Sequence, residues 1–392
     1  MLFLAMKLNS ILLFWFFIAV CCFCGKEKQI IPKEEEPVKT EEGRINVVST
    51  LSPEKTISME NPQVCRYLDE VQYLNGFNGS SVTKYAVESG YRMDFPKSFY
   101  LSLPNNRGES LTVRIRSIRG DYPHRFTDTI KSDVKNYEIT NLIPGNLYCY
   151  EVTTSDNTQL LSDSLFASGQ VRMIYSENAL NVRDIGGWRT SDGKRVRYGR
   201  IYRGSAYSRG FSKRDAAVII NQLGVNVEID LRSEAELRLD DDNPNNDLNY
   251  SLFGSGVSYF HYPMPLKDFI NEDKIYVEVF RTILSSLRNG GVIYIHCAGG
   301  ADRTGTIVLM LEALLGVCDS EMAKDYEITS FAPLYYDKNN FRTCDRCTNT
   351  FNHFIDVSGK SGSTNEIATN YMLSLGVTKS EIDLFKSIML KP

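Results

Sequence analysis

The stretch HCAGGADRTG at 296–305 separates Cys297 from Arg303 by five residues, four of them small. An apolar run, GVIYI, precedes it and a longer one, TIVLMLEALLGV, follows. A buried strand that feeds a helix through such a loop gathers backbone N–H groups into a nest and adds the positive end of a helix dipole. The small residues Ala298, Gly299, Gly300 and Ala301 let that backbone approach its guest closely, and the natural guest is an anion. The same field favours the thiolate form of a cysteine at that point, which makes Cys297 a candidate nucleophile. Arg303 offers two parallel donors to phosphate oxygens.

Elements able to hold such a loop are legible around it. INQLGVNVEIDLRS (220–233) reads as a helix end, a glycine turn and a buried strand, and GVSYFHYPMP (256–265) as a second strand. IYVEVFRTILSSLRNG (275–290) has apolar spacing of three to four and stops at a glycine, so it reads as a capped helix. GVIYIHC (291–297) is a third strand. Thr304 to Val317 has no charge except Glu312, which predicts a helix inside the fold. Helices are also expected over 319–331 and 379–390. Strands alternating with helices predict an α/β sheet with its site at the strand carboxyl ends.

The order His-Cys, five residues, Arg-Thr-Gly resembles the signature of the protein tyrosine phosphatase superfamily. NVRDIGGWRTSDGKRVRYGRIYRGSAYS (181–208) is similar to the opening motif of the atypical bacterial tyrosine phosphatases, which are related to lipid and dual-specificity phosphatases. LGVNVEIDLRSEAE (223–236) resembles their D-L-R-x-x-x-E strand. The resemblance covers about 171–392 and implies a cysteine-dependent phosphomonoesterase working through a phosphocysteine. It implies that Cys297 attacks phosphorus, that Arg303 and the N–H groups of 298–303 hold the equatorial oxygens, and that Thr304 eases departure of the thiolate. His296 is expected to orient the loop. The acid that protonates the leaving oxygen is the loop Asp in that family, here Asp302. Asp268, in MPLKDF, corresponds to the acid on the separate mobile loop of conventional tyrosine phosphatases. No metal or cofactor is implied, and four histidines without a ligand cluster agree. The family loop reads H-C-x-A-G-K-D-R-T-G, whereas this chain has Gly299 for the Ala and Ala301 for the Lys. Loss of that Lys weighs against a polyphosphorylated lipid substrate.

Other residues near the motifs carry weaker readings. Asp184 and Arg183 are read as a structural ion pair or as partners of the loop or of Arg232. Asp230 and Arg232 are read as supporting groups at the same rim, and His261 as a satisfied core histidine. FAPLYYDKNNF (331–341) is either an aryl pocket or surface packing, and DDDNPNND (240–247) a solvated acidic loop.

Earlier in the chain, MLFLAMKLNSILLFWFFIAVCCFCGKEKQ carries an apolar core from Ile11 to Cys22, which is short for a bilayer span and suits a signal peptide. Its end in cysteines resembles a bacterial lipoprotein signal over 1–24, with Cys22 or Cys21 as the lipidated residue. A plain secretory signal or a short anchor is the other reading. Residues 25–58 are charged and poor in aromatics, so they read as a disordered tether. Residues 59–170 read as short strands, among them LTVRIRSI (111–118) and NLYCYEVTT (146–154), with PNNRG, RGDYP and IPGN as turns. YEITNLIPGNLYCYEV (137–152) resembles the tyrosine-corner segment of a fibronectin type III sandwich. An all-β immunoglobulin-like sandwich followed by an α/β tyrosine-phosphatase-like domain over 171–392 is the expected architecture.

With 392 residues and a net charge of −4 there is no basic field for a polyanion, so nucleic acid is not an expected partner. The nine cysteines are too sparse for a disulfide framework, although Cys344 and Cys347 form a C-x-x-C compatible with a local disulfide. The expectation is an exported, lipid-anchored phosphatase of the bacterial envelope, acting on a phosphorylated protein or small phosphomonoester. A phosphoinositide or inositol-phosphate phosphatase is the alternative among enzymes, and a phospho-ligand-binding pseudophosphatase the alternative outside them.

Overall fold

IYIHC at 293–297 is continuously apolar up to its last two residues, the pattern of a strand buried on both faces. In the computed structural model this strand lies at the centre of a five-stranded sheet. The structure describes residues 55–391 except 72–76, 78–81, 89–98, 104–107, 121, 132–133, 208–209, 239–250 and 333–340. The leader with Cys21 and Cys22, the acidic loop 240–247 and most of the aromatic run 331–341 therefore lie outside the described residues.

The first half holds β1 (Thr56–Ser58), α1 (Pro62–Glu70), α2 (Val82–Glu88), β2 (Phe99–Ser102), β3 (Leu111–Arg119), β4 (Arg125–Ile130), β5 (Asn136–Ile139), β6 (Leu147–Thr153) and β7 (Gln159–Ser168). The second holds β8 (Arg183–Asp184), β9 (Arg195–Val196), β10 (Ile201–Ser205), α3 (Lys213–Ala216), β11 (Val227–Asp230), α4 (Glu234–Arg238), β12 (Ser258–His261), α5 (Asp273–Arg288) and β13 (Ile293–Cys297). It continues through α6 (Asp302–Leu315), α7 (Asp319–Ile328), α8 (Asp345–Ser358), α9 (Thr364–Ser374), α10 (Lys379–Met389) and β14 (Leu390–Lys391).

The strands of the first half form a five-stranded sheet in the order β1-β7-β6-β3-β4 and a two-stranded ribbon, β2-β5. Leu101 of the ribbon and Ile139 share one apolar core with Leu111, Val113, Ile115, Tyr150 and Val152 of the larger sheet. The buried Tyr148 hydroxyl accepts from the Ile143 N–H at 2.9 Å, the contact that defines a tyrosine corner. Two features differ from the strand-only reading of 59–170. Thr56–Ser58, read as the end of the tether, pair in parallel with Phe166–Ser168 of β7. Residues 62–70 and 82–88 are helical, and their Val64, Tyr67, Val82 and Tyr85 join the core of the second half rather than that of the sheet. Asn61 caps α1 by accepting from the Val64 N–H, with Pro62 at the first turn, a start signal that strand alternation in the neighbouring sequence obscured. The described residues, from Lys55 to Lys391, belong to one compact unit.

The second sheet runs β12-β11-β13-β10-β8, with β8 antiparallel and the other neighbours parallel. Cys297 ends β13 opposite Ser205, the last residue of β10, so the loop leaves the carboxyl edge between two strands. In α6 every side chain from Arg303 to Leu315 is buried, as the lack of charge predicted, and Gly316 ends it in the left-handed region at φ 78°. Among the described residues no helix is long and apolar enough to cross a membrane.

Candidate active site

Peptide planarity fixes where the loop's N–H groups point, because C=O of one residue and N–H of the next lie on opposite sides of the bond. The Ala206 N–H draws back the carbonyls of Cys297 (2.9 Å) and Ala298 (3.2 Å). The Gly300 carbonyl is drawn back by Arg203 Nη2 (2.9 Å) and Asn181 Nδ2 (3.0 Å). The N–H groups of Ala298, Gly299 and Ala301 therefore face the other side, the concave nest an oxyanion requires. Gly300 makes this path possible: its φ is 63°, and a Cβ there would lie 2.2 Å from the Gly204 backbone.

Cys297 and Arg303 are both nearly buried, at 3% and 5% exposure. Arg303 is aimed by four acceptors. Its Nη1 donates to Glu236 Oε2 (2.5 Å), Met264 O (3.2 Å) and Leu231 O (3.3 Å), and its Nη2 to Glu236 Oε1 (2.7 Å). Burial opposes ionisation of Glu236, but Arg303 and the Ser233 donors outweigh it and hold its pKa below the usual value. This fork-on-fork pair sets the plane of the guanidinium before any ligand arrives. Thr304 is fully buried, and its hydroxyl has no hydrogen-bond partner among the described residues, Cys297 Sγ included. His296 stands between two carboxylates, Nε2 at 2.9 Å from Glu228 and Nδ1 at 3.8 Å from Asp230, an anchoring geometry for the strand end.

The two candidate acids sit differently. Asp302 opens α6 and is already engaged: Oδ2 accepts from Arg342 (2.9 Å), Oδ1 from the Tyr326 hydroxyl (3.3 Å), and Arg346 lies at 3.7 Å. Asp268 is exposed and has left-handed backbone, φ 60°, four residues beyond the Met264 carbonyl that receives Arg303.

The remaining sequence candidates resolve into support. Asp184 pairs with Arg172 rather than with Arg232, and Arg183 pairs with Asp325. Asp230 and Arg232 grip each other, and although burial would raise the Asp230 pKa, His296 and Arg232 keep it well below the carboxylate range. His261 is only partly buried and faces the Arg232 carbonyl at 2.7 Å, so it belongs to the rim and not to the core. Cys344 and Cys347 are buried and form no disulfide among the described residues, and burial followed by Glu327 pushes Cys344 up to about 12. Sequence reasoning gave no role to Glu236, Asn181, Arg203, Asp325, Arg342 or Arg346. The first three stand inside the quoted motifs, and their partners become visible only when the chain is folded. Among the described residues no group of side chains could hold a metal ion.

A profile described as "Tyrosine phosphatase family" matches residues 174–390. The chain belongs to the tyrosine phosphatase family. A curated relative, "Putative tyrosine-protein phosphatase H16_A0669" of Cupriavidus necator, is 27% identical over 173 residues, 37% of this chain. The alignment spans 59% of that relative's length. Solved structures similar to part of this phosphatase-family chain include the core catalytic domain of the PP-IP phosphatase SIW14 from S. cerevisiae. That likeness has 17% identity, covers 46% of this chain and 96% of that one, and has a TM-score of 0.28. Another is P. aeruginosa TpbA (C132S) in complex with pTyr, with 14% identity, coverage of 46% and 90%, and a TM-score of 0.30.

Proposed function

We propose that this chain is a cysteine-dependent phosphomonoesterase of the tyrosine or dual-specificity type. One observation carries the reading: a nearly buried Cys and a nearly buried, pre-aimed Arg end one loop whose pinned carbonyls turn three N–H groups to the opposite face. In the first step Cys297 Sγ bonds to phosphorus as the ester oxygen leaves and takes a proton from an aspartic acid. In the second, water attacks the phosphocysteine, the same aspartate takes the water's proton, and phosphate and the thiolate are released. The N–H groups of 298–303 and Arg303 hold the equatorial oxygens and tighten as charge builds. Asp302 is assigned the proton, with Asp268 as the alternative. Thr304, with its hydroxyl uncommitted, is assigned to the departing thiolate.

We also propose that the chain is exported and lipid-anchored through Cys22 or Cys21, and that the sheet module is a fibronectin type III-like spacer. The leader's apolar core supports the first, and the tyrosine corner at Tyr148 the second. The substrate is proposed to be a phosphorylated protein or a small monoester, because Ala301 stands where the resembling family carries Lys. A panel of phosphotyrosine peptide, nitrophenyl phosphate and phosphoinositides, run on parent and Cys297→Ser, tests this. Aryl phosphate turnover that vanishes in Cys297→Ser supports it. Turnover of lipid phosphates alone favours the phosphoinositide reading. Binding without turnover in the parent favours a pseudophosphatase.

A further inference from the structure

A buried ion network lies behind the phosphate loop and takes no part in the steps above. Arg183 Nε meets Asp325 Oδ1 at 2.9 Å, and Arg203 Nη1 meets Asp325 Oδ2 at 2.6 Å, with all three side chains at most 1% exposed. Two guanidiniums share one carboxylate. Glu312 of α6 stands beside them, and burial followed by Asp325 pushes its pKa well up. Burying charge this way is expensive, and apolar packing of the same volume is often more stable. The arrangement calls for a purpose that apolar residues could not serve.

The purpose is visible at Gly300. Its carbonyl receives Arg203 Nη2 at 2.9 Å and Asn181 Nδ2 at 3.0 Å, so both lone pairs are used. Arg203 is held by Asp325, and Asn181 by Arg183, whose Nη1 donates to Asn181 Oδ1 at 2.5 Å. The network thus ends in two donors on one loop peptide. We propose that Asn181 and Arg203 are positioning residues of the phosphate loop: by holding the Gly300 carbonyl on the rear face, they fix the Ala301 N–H toward the bound oxyanion. This rests on the phosphatase reading of the loop.

Asn181→Asp removes the contact and sets an oxygen against the Gly300 carbonyl. Asn181 has φ 60°, which Asp tolerates, and the carboxylate still accepts from Arg183. The donor to Gly300 is lost, together with a longer donation to Thr329 Oγ1 at 3.2 Å. In the full chain, kcat for nitrophenyl phosphate is expected to fall about tenfold or more, and the vanadate inhibition constant to rise by a similar factor. Arg203→Lys, which cannot span Asp325 and Gly300 with a fork, is expected to shift both in the same direction. Arg172→Lys weakens an equally buried pair that does not touch the loop, so it should lower Tm and leave kcat within about twofold. Should Asn181→Asp not fold, Asn181→Gly suits the same backbone and carries the same expectation. An active parent with an equally active, equally vanadate-sensitive Asn181 variant overturns the proposal alone. A parent that neither turns over aryl phosphate nor binds vanadate overturns the phosphatase reading itself.

Discussion

At the scale of single residues the site is a set of directions more than a set of groups. Arg303 is useful because Glu236 takes both of its Nη atoms, at 2.5 and 2.7 Å. Glu236→Gln keeps the shape and one acceptor but removes the charge, so the guanidinium plane loosens. A loss of roughly 10- to 100-fold in kcat/KM is expected from steady-state kinetics, together with a lower Tm, because the buried guanidinium loses its counter-charge. The acid is a second question of direction. Asp302→Ala should slow poor leaving groups far more than nitrophenyl phosphate, because a good leaving group departs without a proton. A leaving-group series decides it: if that steep dependence arises in Asp268→Ala and not in Asp302→Ala, the acid is Asp268. The reacting ends were legible in the sequence because loop spacing is a one-dimensional property. Glu236 lies inside the D-L-R-x-x-x-E stretch, but its role is not legible there, since it stands 67 positions from Arg303 and nothing local joins them.

Among elements, α6 does most of the positioning, and its register is set by small residues. Gly305 lies one turn into the helix, where an added Cβ would sit 2.7 Å from the Tyr326 ring of α7. Gly305→Ala forces that ring or the helix to shift and should cost about 1–3 kcal/mol. Tyr326 also donates to Asp302, so the shift should reach the site, and thermal melts should fall together with kcat. If Tm falls and kcat of the folded fraction does not, the two helices do not share a register. The α/β alternation from about 220 to 330 was readable because its apolar runs are long and bounded by glycines. Helices α1 and α2 were not, because each is short and its pattern is completed only by the α/β core it packs on. The Asp184–Arg172 pair was hidden for the same reason, since Arg172 reaches across to the carbonyls of Asn141 and Leu142.

For the whole molecule, the two halves recognised in the sequence are not independent in the folded chain. Tyr67 of α1 donates to the buried Glu327 at 2.6 Å and packs on Phe331, so a fragment beginning at 171 loses part of its core. Such a fragment should melt broadly or precipitate, whereas one beginning at Val48 should unfold in a single transition by calorimetry. The junction also carries an acid-sensitive contact. His124 Nε2 lies 3.2 Å from the Gln222 carbonyl of the α/β half, and its Nδ1 lies 2.9 Å from the Tyr148 hydroxyl of the sheet half. The Tyr148 oxygen already accepts from Ile143 and Asn146, so its own proton goes to Nδ1 and the imidazole is neutral. Protonating Nδ1 would set two donors against each other. Burial, followed by the nearby Arg172, pushes the His124 pKa down from 6.5 to about 3. The unfolded chain therefore binds a proton between those values that the folded chain refuses, and stability must fall as pH drops through that window and stay level above it. His124→Gln keeps a donor for the Gln222 carbonyl and cannot take up the proton. Its Tm should decline less steeply than that of the parent in melts run from about pH 6.5 down to about pH 4. Parallel declines in the two proteins would mean that the junction is not where acid acts.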